Sequence, residues 1–299
     1  MEVLEKPEED WELGLHDDFP SEYKSLQEFD PLTIRNDDAM LIYGPRRSGK
    51  SYLYHYLLFS HLRYIYKTLR VFTGSAHSNE WPQVHPEYIT EGFDSSIVSA
   101  YTDVQAERIS FVTDLLRLEK KINIWDNEKT LDQHIYLYNG IVIDDCASEK
   151  ELHSDHALIA LYTKGRHLKT GTTILTQYPN SVAPTVRCNS DKAFLFDFAS
   201  RRLDEQFAEQ FFPDLHVREL SALFKHYYSK KEHTCLVVNV TEHSRFGPDR
   251  LFVFNTPSWP AEFVVGDKCY QPSGHFEQNE LSFKKVEPIF SSILSKEEN

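Results

Sequence analysis

The chain has 299 residues, of which 40% are apolar and 26% charged, and its formal net charge is −14. That size and composition suit one large α/β domain or two small ones and exclude global disorder. No run approaches the roughly 18 to 20 apolar residues of a membrane span, the acidic start MEVLEKPEED has no apolar signal core, and the acidity argues against a simple basic coat for DNA.

Residues 1–38 hold 13 Asp and Glu against Lys6, Lys24 and Arg35, so the middle of the chain is near neutral. Residues 1–35 therefore read as an acidic arm, at least partly disordered. The alternative is a segment docked on the core through Trp11, Leu13, Leu15 and Phe19. Order is expected from about Ala39. Ala39–Tyr43 is a short apolar run that predicts a buried strand, and residues 52–66 carry helical spacing. Leu69–Thr73 predicts a second strand, closed by Gly74, and a helix is expected over about 102–120. Ile141–Ile143 is a third strand, with Asp144 and Asp145 at its C-terminal end. A helix at about 154–164 and a strand at Thr172–Thr176 follow, then a strand at Ala193–Phe196. Helices at about 202–211 and 217–227 precede strands at Thr234–Val240 and Leu251–Phe254.

Short apolar strands alternating with helices predict an α/β fold, a mostly parallel sheet with helices on both faces. The predicted domain spans 36–255, with 256–299 as a C-terminal extension whose last 24 residues form a loosely attached tail. Cys146, Cys188, Cys235 and Cys269 stand singly, and His153 and His156 near the first do not complete a metal-binding spacing. Reduced thiols in a cytosolic or nuclear compartment are expected.

The chemistry begins at Gly44-Pro45-Arg46-Arg47-Ser48-Gly49-Lys50-Ser51, the pattern of a phosphate-binding loop between a strand and a helix. Its glycines let the backbone turn inward, its N–H groups form an anion nest, and the following helix points its positive end at the same anion. Lys50 would reach the β- and γ-phosphates of ATP, and the Ser51 hydroxyl would ligate Mg²⁺. Arg46 and Arg47 face phosphate, a neighbouring subunit or solvent. Asp144 would complete the Mg²⁺ shell, and Asp145 would polarise an attacking water. Nucleotide kinases need no such second acid, and no Asn-Lys-x-Asp guanine-reading motif is present.

Thr173–Gln177 ends an apolar strand in an amide suited to sensing a γ-phosphate. Arg166, in Lys164-Gly-Arg-His167, and Arg187, in Ala183-Pro-Thr-Val-Arg187, are candidates for an arginine that stabilises transition-state charge in the next subunit. A salt bridge within the fold is the alternative for either.

Together, Gly-Pro-x-x-Ser-Gly-Lys-Ser, Val-Ile-Asp-Asp, Gly-Arg-His, Thr-Gln-Tyr and Pro-x-x-Arg-x-Asn-x-Asp resemble the poxvirus-type genome-packaging ATPases of large eukaryotic DNA viruses, in the FtsK–HerA branch of P-loop motors. The resemblance covers about residues 38–240. It implies a RecA/ASCE-like P-loop NTPase fold and ATP with Mg²⁺ at subunit interfaces. It also implies a homo-oligomeric ring, a hexamer or pentamer, that drives double-stranded DNA into a preformed capsid and meets a capsid or vertex protein. The implied location is a virus factory in the host cytoplasm or nucleus, or the virion. Asp145 departs from the Glu most FtsK–HerA members carry there.

Non-specific DNA contact would rest on basic segments: Arg63–Arg70, Lys164–Lys169, Arg201-Arg202, and Lys225 to His233 with Lys230 and Lys231. Other readings of the same motifs are a helicase or AAA-type remodelling ATPase, a nucleotide-binding capsid-assembly scaffold with negligible turnover, and a small-molecule phosphotransferase.

Overall fold

A computed structural model describes residues 19–74, 81–122, 138–146, 154–228, 232–241, 247–260 and 262–266. Trp11, Leu13, Leu15, His153, Lys230, Lys231, Cys269 and the predicted tail lie outside them. No helix among the described residues is long and apolar enough to cross a membrane.

Nine strands form one sheet. In chain order they are β1 (Gln27–Glu28), β2 (Ala39–Tyr43), β3 (Thr68–Thr73), β4 (Ile89–Glu91), β5 (Asn139–Asp144), β6 (Thr170–Thr176), β7 (Lys192–Leu195), β8 (Thr234–Asn239) and β9 (Leu251–Asn255). Their spatial order is β1-β9-β8-β7-β2-β6-β5-β3-β4. Every neighbouring pair is parallel except β7 with β8 and β8 with β9. The mostly parallel sheet predicted from the strand–helix alternation is thus present, with β8 alone reversed.

The central strands are buried on both faces, which is why they read as continuous apolar runs. Alternate residues sort to opposite sides. Leu41, Tyr43, Ile141, Ile143, Ala193 and Leu195 belong to one core cluster, and Met40, Ile42, Val142, Leu175 and Phe194 to the other. The second side is covered by α1 (Lys50–Ser60), through Leu53, Tyr54, Leu57 and Leu58. The first side carries α2 (Ser95–Ile122), α3 (His156–Lys164), the short α4 (Pro184–Cys188), α5 (Arg201–Phe211) and α6 (Val217–Tyr228).

Several boundaries differ from expectation. Helix α1 starts at Lys50 and stops at Ser60, where His61 leaves helical geometry, and a separate 3-10 turn spans Leu62–Tyr64. Helix α2 starts at Ser95, because Asp94 Oδ1 accepts the N–H groups of Ser96 (2.8 Å) and Ile97 (3.3 Å) and so caps it.

Order also begins before Ala39. Phe19, Tyr23, Phe29 and Ile34 are buried, and β1 pairs with β9. The Tyr227 hydroxyl donates to Tyr23 O (2.8 Å) and accepts from Leu26 N (3.0 Å), while Tyr23 Oη donates to Asp214. Residues 19–34 therefore form a strap on the sheet, not a free arm. Beyond β9, Phe263 and Val265 are buried against the α1 side, and Val265 N donates to Gln83 O (2.9 Å). That part of the extension is packed.

Candidate nucleotide site

Parallel strands end together, so β2, β5 and β6 present their C-terminal residues along one edge of the sheet. Ligands of such sheets bind there. The loop Gly44–Gly49 leaves β2 at this edge and enters α1. Gly49 sits at φ +102° as the N-cap residue, a backbone state that only glycine adopts freely. Its missing side chain matters as well: a Cβ there would lie 2.7 Å from Nδ1 of His233.

Lys50 is buried, and its ammonium donates to the carbonyls of Gly44 (2.8 Å) and Pro45 (3.0 Å). Burial pushes its pKa down, and the nearby charges of Asp145 and Asp144 oppose that shift. The Ser48 hydroxyl is buried in the same loop without a hydrogen-bond partner. Arg46 and Arg47 are exposed. Arg47 adopts a left-handed φ of 67°.

β5 lies two strands from β2, with β6 between them. Asp144 ends β5, is buried, and brings Oδ2 to 3.4 Å from the Ser51 hydroxyl that donates to it. Asp145 follows in a left-handed conformation with φ of 51°. Its N–H donates to Leu175 O (3.1 Å), which pins the turn to β6. The Gln177 amide, just past β6, donates to both Asp145 carboxylate oxygens at 2.9 and 3.1 Å. Register brings the pair within reach: Asp144 lies opposite Leu175, so Asp145 comes level with Thr176 and Gln177 follows one residue farther on. The sequence marked both residues but not their contact.

The two arginines part company. Arg187 lies on α4, at the same edge, and donates to Pro179 O and Asn180 Oδ1, each at 3.4 Å. Arg166 lies at the opposite edge, paired with Asp191 just before β7. There it joins a cluster in which Arg35 holds Asp38 (2.8 Å) and Asp191 (3.2 Å), and Lys192 holds Asp38 (2.5 Å). Arg166 therefore lies away from the phosphate loop of its own chain and pairs within the fold. Within the single chain this matches the salt-bridge alternative.

Basic segments proposed for DNA carry internal contacts. Arg63 stacks on Phe59 and Tyr64, Arg70 donates to Glu87 O, and Arg201 pairs with Glu205.

The site fits a hard divalent cation. A serine hydroxyl and a carboxylate 3.4 Å apart are the oxygen donors that Mg²⁺ takes, usually one or two from protein with water and phosphate completing its shell. No group of three or more His, Cys, Asp and Glu suited to a metal occurs among the described residues.

No protein-family model matches the sequence. The chain is 24% identical over 159 residues to uncharacterized protein 075L of Invertebrate iridescent virus 6. That match spans 52% of this chain and 53% of the relative, about half of each. Among solved structures, the chain is similar to the genome packaging NTPase B204 of Sulfolobus turreted icosahedral virus 2. The B204 complex with AMPPCP matches at TM-score 0.51 and 13% identity, over 75% of this chain and 100% of that one. The complex with sulfate matches at TM-score 0.51 and 13% identity, over 78% and 100%. The likeness read from the five motifs thus recurs in the fold: this chain has a P-loop NTPase fold and resembles viral genome-packaging NTPases in its architecture.

Proposed function

We propose that the chain is the ATP-hydrolysing subunit of a viral DNA-packaging motor, active as a hexameric or pentameric ring that drives double-stranded DNA into a preformed capsid. The observation that carries this reading is the convergence of Lys50, Ser51, Asp144, Asp145 and Gln177 at one edge of the sheet, within a fold similar to a packaging NTPase.

The loop N–H groups and Lys50 bind the β- and γ-phosphates, and the unpartnered Ser48 hydroxyl offers a further donor. Lys50 now spends its protons on two carbonyls, contacts it exchanges for phosphate oxygens. Ser51 and Asp144 hold Mg²⁺, which when bound neutralises charge on the phosphate oxygens. Asp145 accepts a proton from the attacking water. Gln177 holds both oxygens of that carboxylate, so it orients the base and couples it to whatever moves β6. Arg187 is the candidate that reaches a neighbouring copy's nucleotide. DNA would be gripped without sequence preference, and a capsid or vertex protein would anchor the ring in the virus factory or virion.

The test is steady-state hydrolysis with and without long double-stranded DNA, beside Lys50→Ala and Asp145→Asn. Turnover that rises with DNA and is lost in both variants is expected. Turnover indifferent to DNA would shift the reading to a remodelling ATPase. Tight Mg·ATP binding by a proven oligomer with no turnover would shift it to an assembly scaffold.

A further inference from the structure

The antiparallel strand β8 has a positional effect. Because it runs against β7, its first residue lies at the edge where β2 and β7 end: Leu236 pairs with Leu195. His233, just before β8, is thereby carried to the phosphate loop. Its ring lies against the Cα of Gly49, close enough that a Cβ there would stand 2.7 Å from Nδ1. The turn is braced on both sides. Asn255 Nδ2 donates to Glu232 O (2.7 Å) and to Thr234 Oγ1 (3.0 Å), and His233 O accepts from Thr256 N (3.2 Å). His233 itself holds a left-handed φ of 56° and is exposed.

Behind His233 stand two more rings. Tyr52, the residue after Ser51, lies 4.9 Å from His233 at an interplanar angle of 34°, and Trp259 lies 5.8 Å from Tyr52 at 39°. The Tyr52 hydroxyl donates to Pro257 O (3.3 Å). The three rings form a row that starts at the last glycine of the loop and is anchored on α1 and on the segment after β9.

Strand order sets which end of a nucleotide this row meets. Asp144 and Asp145 flank the loop from the β6–β5 side, whereas His233 flanks it from the β7–β8 side. A triphosphate whose γ end lies by the acids directs its ribose and base toward His233. We infer that the outer face of His233, backed by Tyr52 and Trp259, is the stacking platform for the nucleobase of the bound nucleoside triphosphate. This rests on the phosphate-loop reading and deepens it. A stack reads ring area and not an edge pattern, so the platform adds affinity for any base.

The experiment is calorimetric titration of the full chain with Mg·ATP and, separately, with Mg·tripolyphosphate. The proteins are the unmodified chain, His233→Ala, His233→Phe and Lys50→Ala. The expected result is that His233→Ala weakens ATP binding by roughly 5- to 150-fold, the range for loss of one aromatic–base stack. Tripolyphosphate affinity stays unchanged, and His233→Phe restores ATP binding. The platform is overturned if ATP and tripolyphosphate bind the unmodified chain equally, if His233→Ala leaves ATP affinity untouched, or if it weakens both ligands alike. Failure of the underlying reading looks different: neither ligand binds the unmodified chain, or Lys50→Ala binds both as well as it does.

Discussion

The two edges of the sheet use the same residue types to opposite ends. At the edge where β2 and β7 begin, Arg35, Asp38, Arg166, Asp191 and Lys192 satisfy one another in a closed set of ion pairs. At the edge where β2, β5 and β6 end, Lys50 is held by backbone carbonyls and not by a carboxylate, though two carboxylates stand nearby. Paired charges lock strands in place. A cation left to carbonyl oxygens is ready to trade them for a stronger anion. On the proposed function, the fold keeps stability and chemistry at separate ends.

The sharpest way to break that division is Asp38→Ala. The Asp38 side chain is fully buried and that of Lys192 is 6% exposed, so the variant strands a buried cation. A loss of about 3–5 kcal/mol is expected in denaturant unfolding. Asp38→Leu with Lys192→Met should recover much of it, because an apolar pair of similar volume has no charge to desolvate.

The converse at the other edge is Asp145→Asn. Hydrolysis should fall by about 10²–10⁴-fold, the usual contribution of a general base. The melting temperature should hold, since Asp145 is exposed and its hydrogen bonds among the described residues go to Gln177 and backbone. A large drop in melting temperature would show that this edge also carries stability.

Lys50→Met sharpens the contrast further. It should abolish nucleotide binding yet raise stability by up to about 1 kcal/mol, since a buried ammonium is replaced by an apolar chain. The sign follows from the lowered pKa of Lys50. Between its folded value and the ordinary 10.5 the unfolded chain binds more protons, so stability rises with pH across that window. The advantage of the Met variant should shrink as pH rises through it, read by thermal melts at several pH values.

The smallest effects concern two buried groups outside both edges. Burial pushes Asp204 up to about 6 from 3.8, so the folded chain holds the extra proton and stability is lost as pH rises from about 4 to 6. Burial lowers His55 to about 4 from 6.5, so stability is lost as pH falls through the same range. The opposing slopes should largely cancel in the unmodified chain. Asp204→Asn should unmask the histidine as a loss of melting temperature below pH 6.

Much of this was legible along the chain where one element sufficed. The buried strands β2, β5 and β6 announced themselves as apolar runs, and the phosphate loop by its own spacing. What crossed between elements was not legible. The grip of Gln177 on Asp145 depends on the register of β5 against β6. The fate of Arg166 depends on Asp191, 25 residues away and on another element. The strap was legible only in Phe19, offered as a docking residue and found buried; β1 has only two residues, both polar and exposed, and its other anchors Tyr23 and Phe29 are single rings with no periodicity. The start of α2 was present as Asp94-Ser-Ser, a capping signal outweighed by the clearer spacing farther on.

The outermost strands have a consequence for how copies of this chain can meet. Among the described residues the sheet ends in β1 on one side and β4 on the other, strands of two and three residues carrying Glu28 and Glu91. Edges this short and charged offer little template for another chain's backbone. The proposed ring would then be closed more readily by loops and helix ends, such as those at the strand termini where the phosphate loop lies. Contacts of that kind can open and re-form with each cycle, whereas a shared sheet would have welded the subunits into one body.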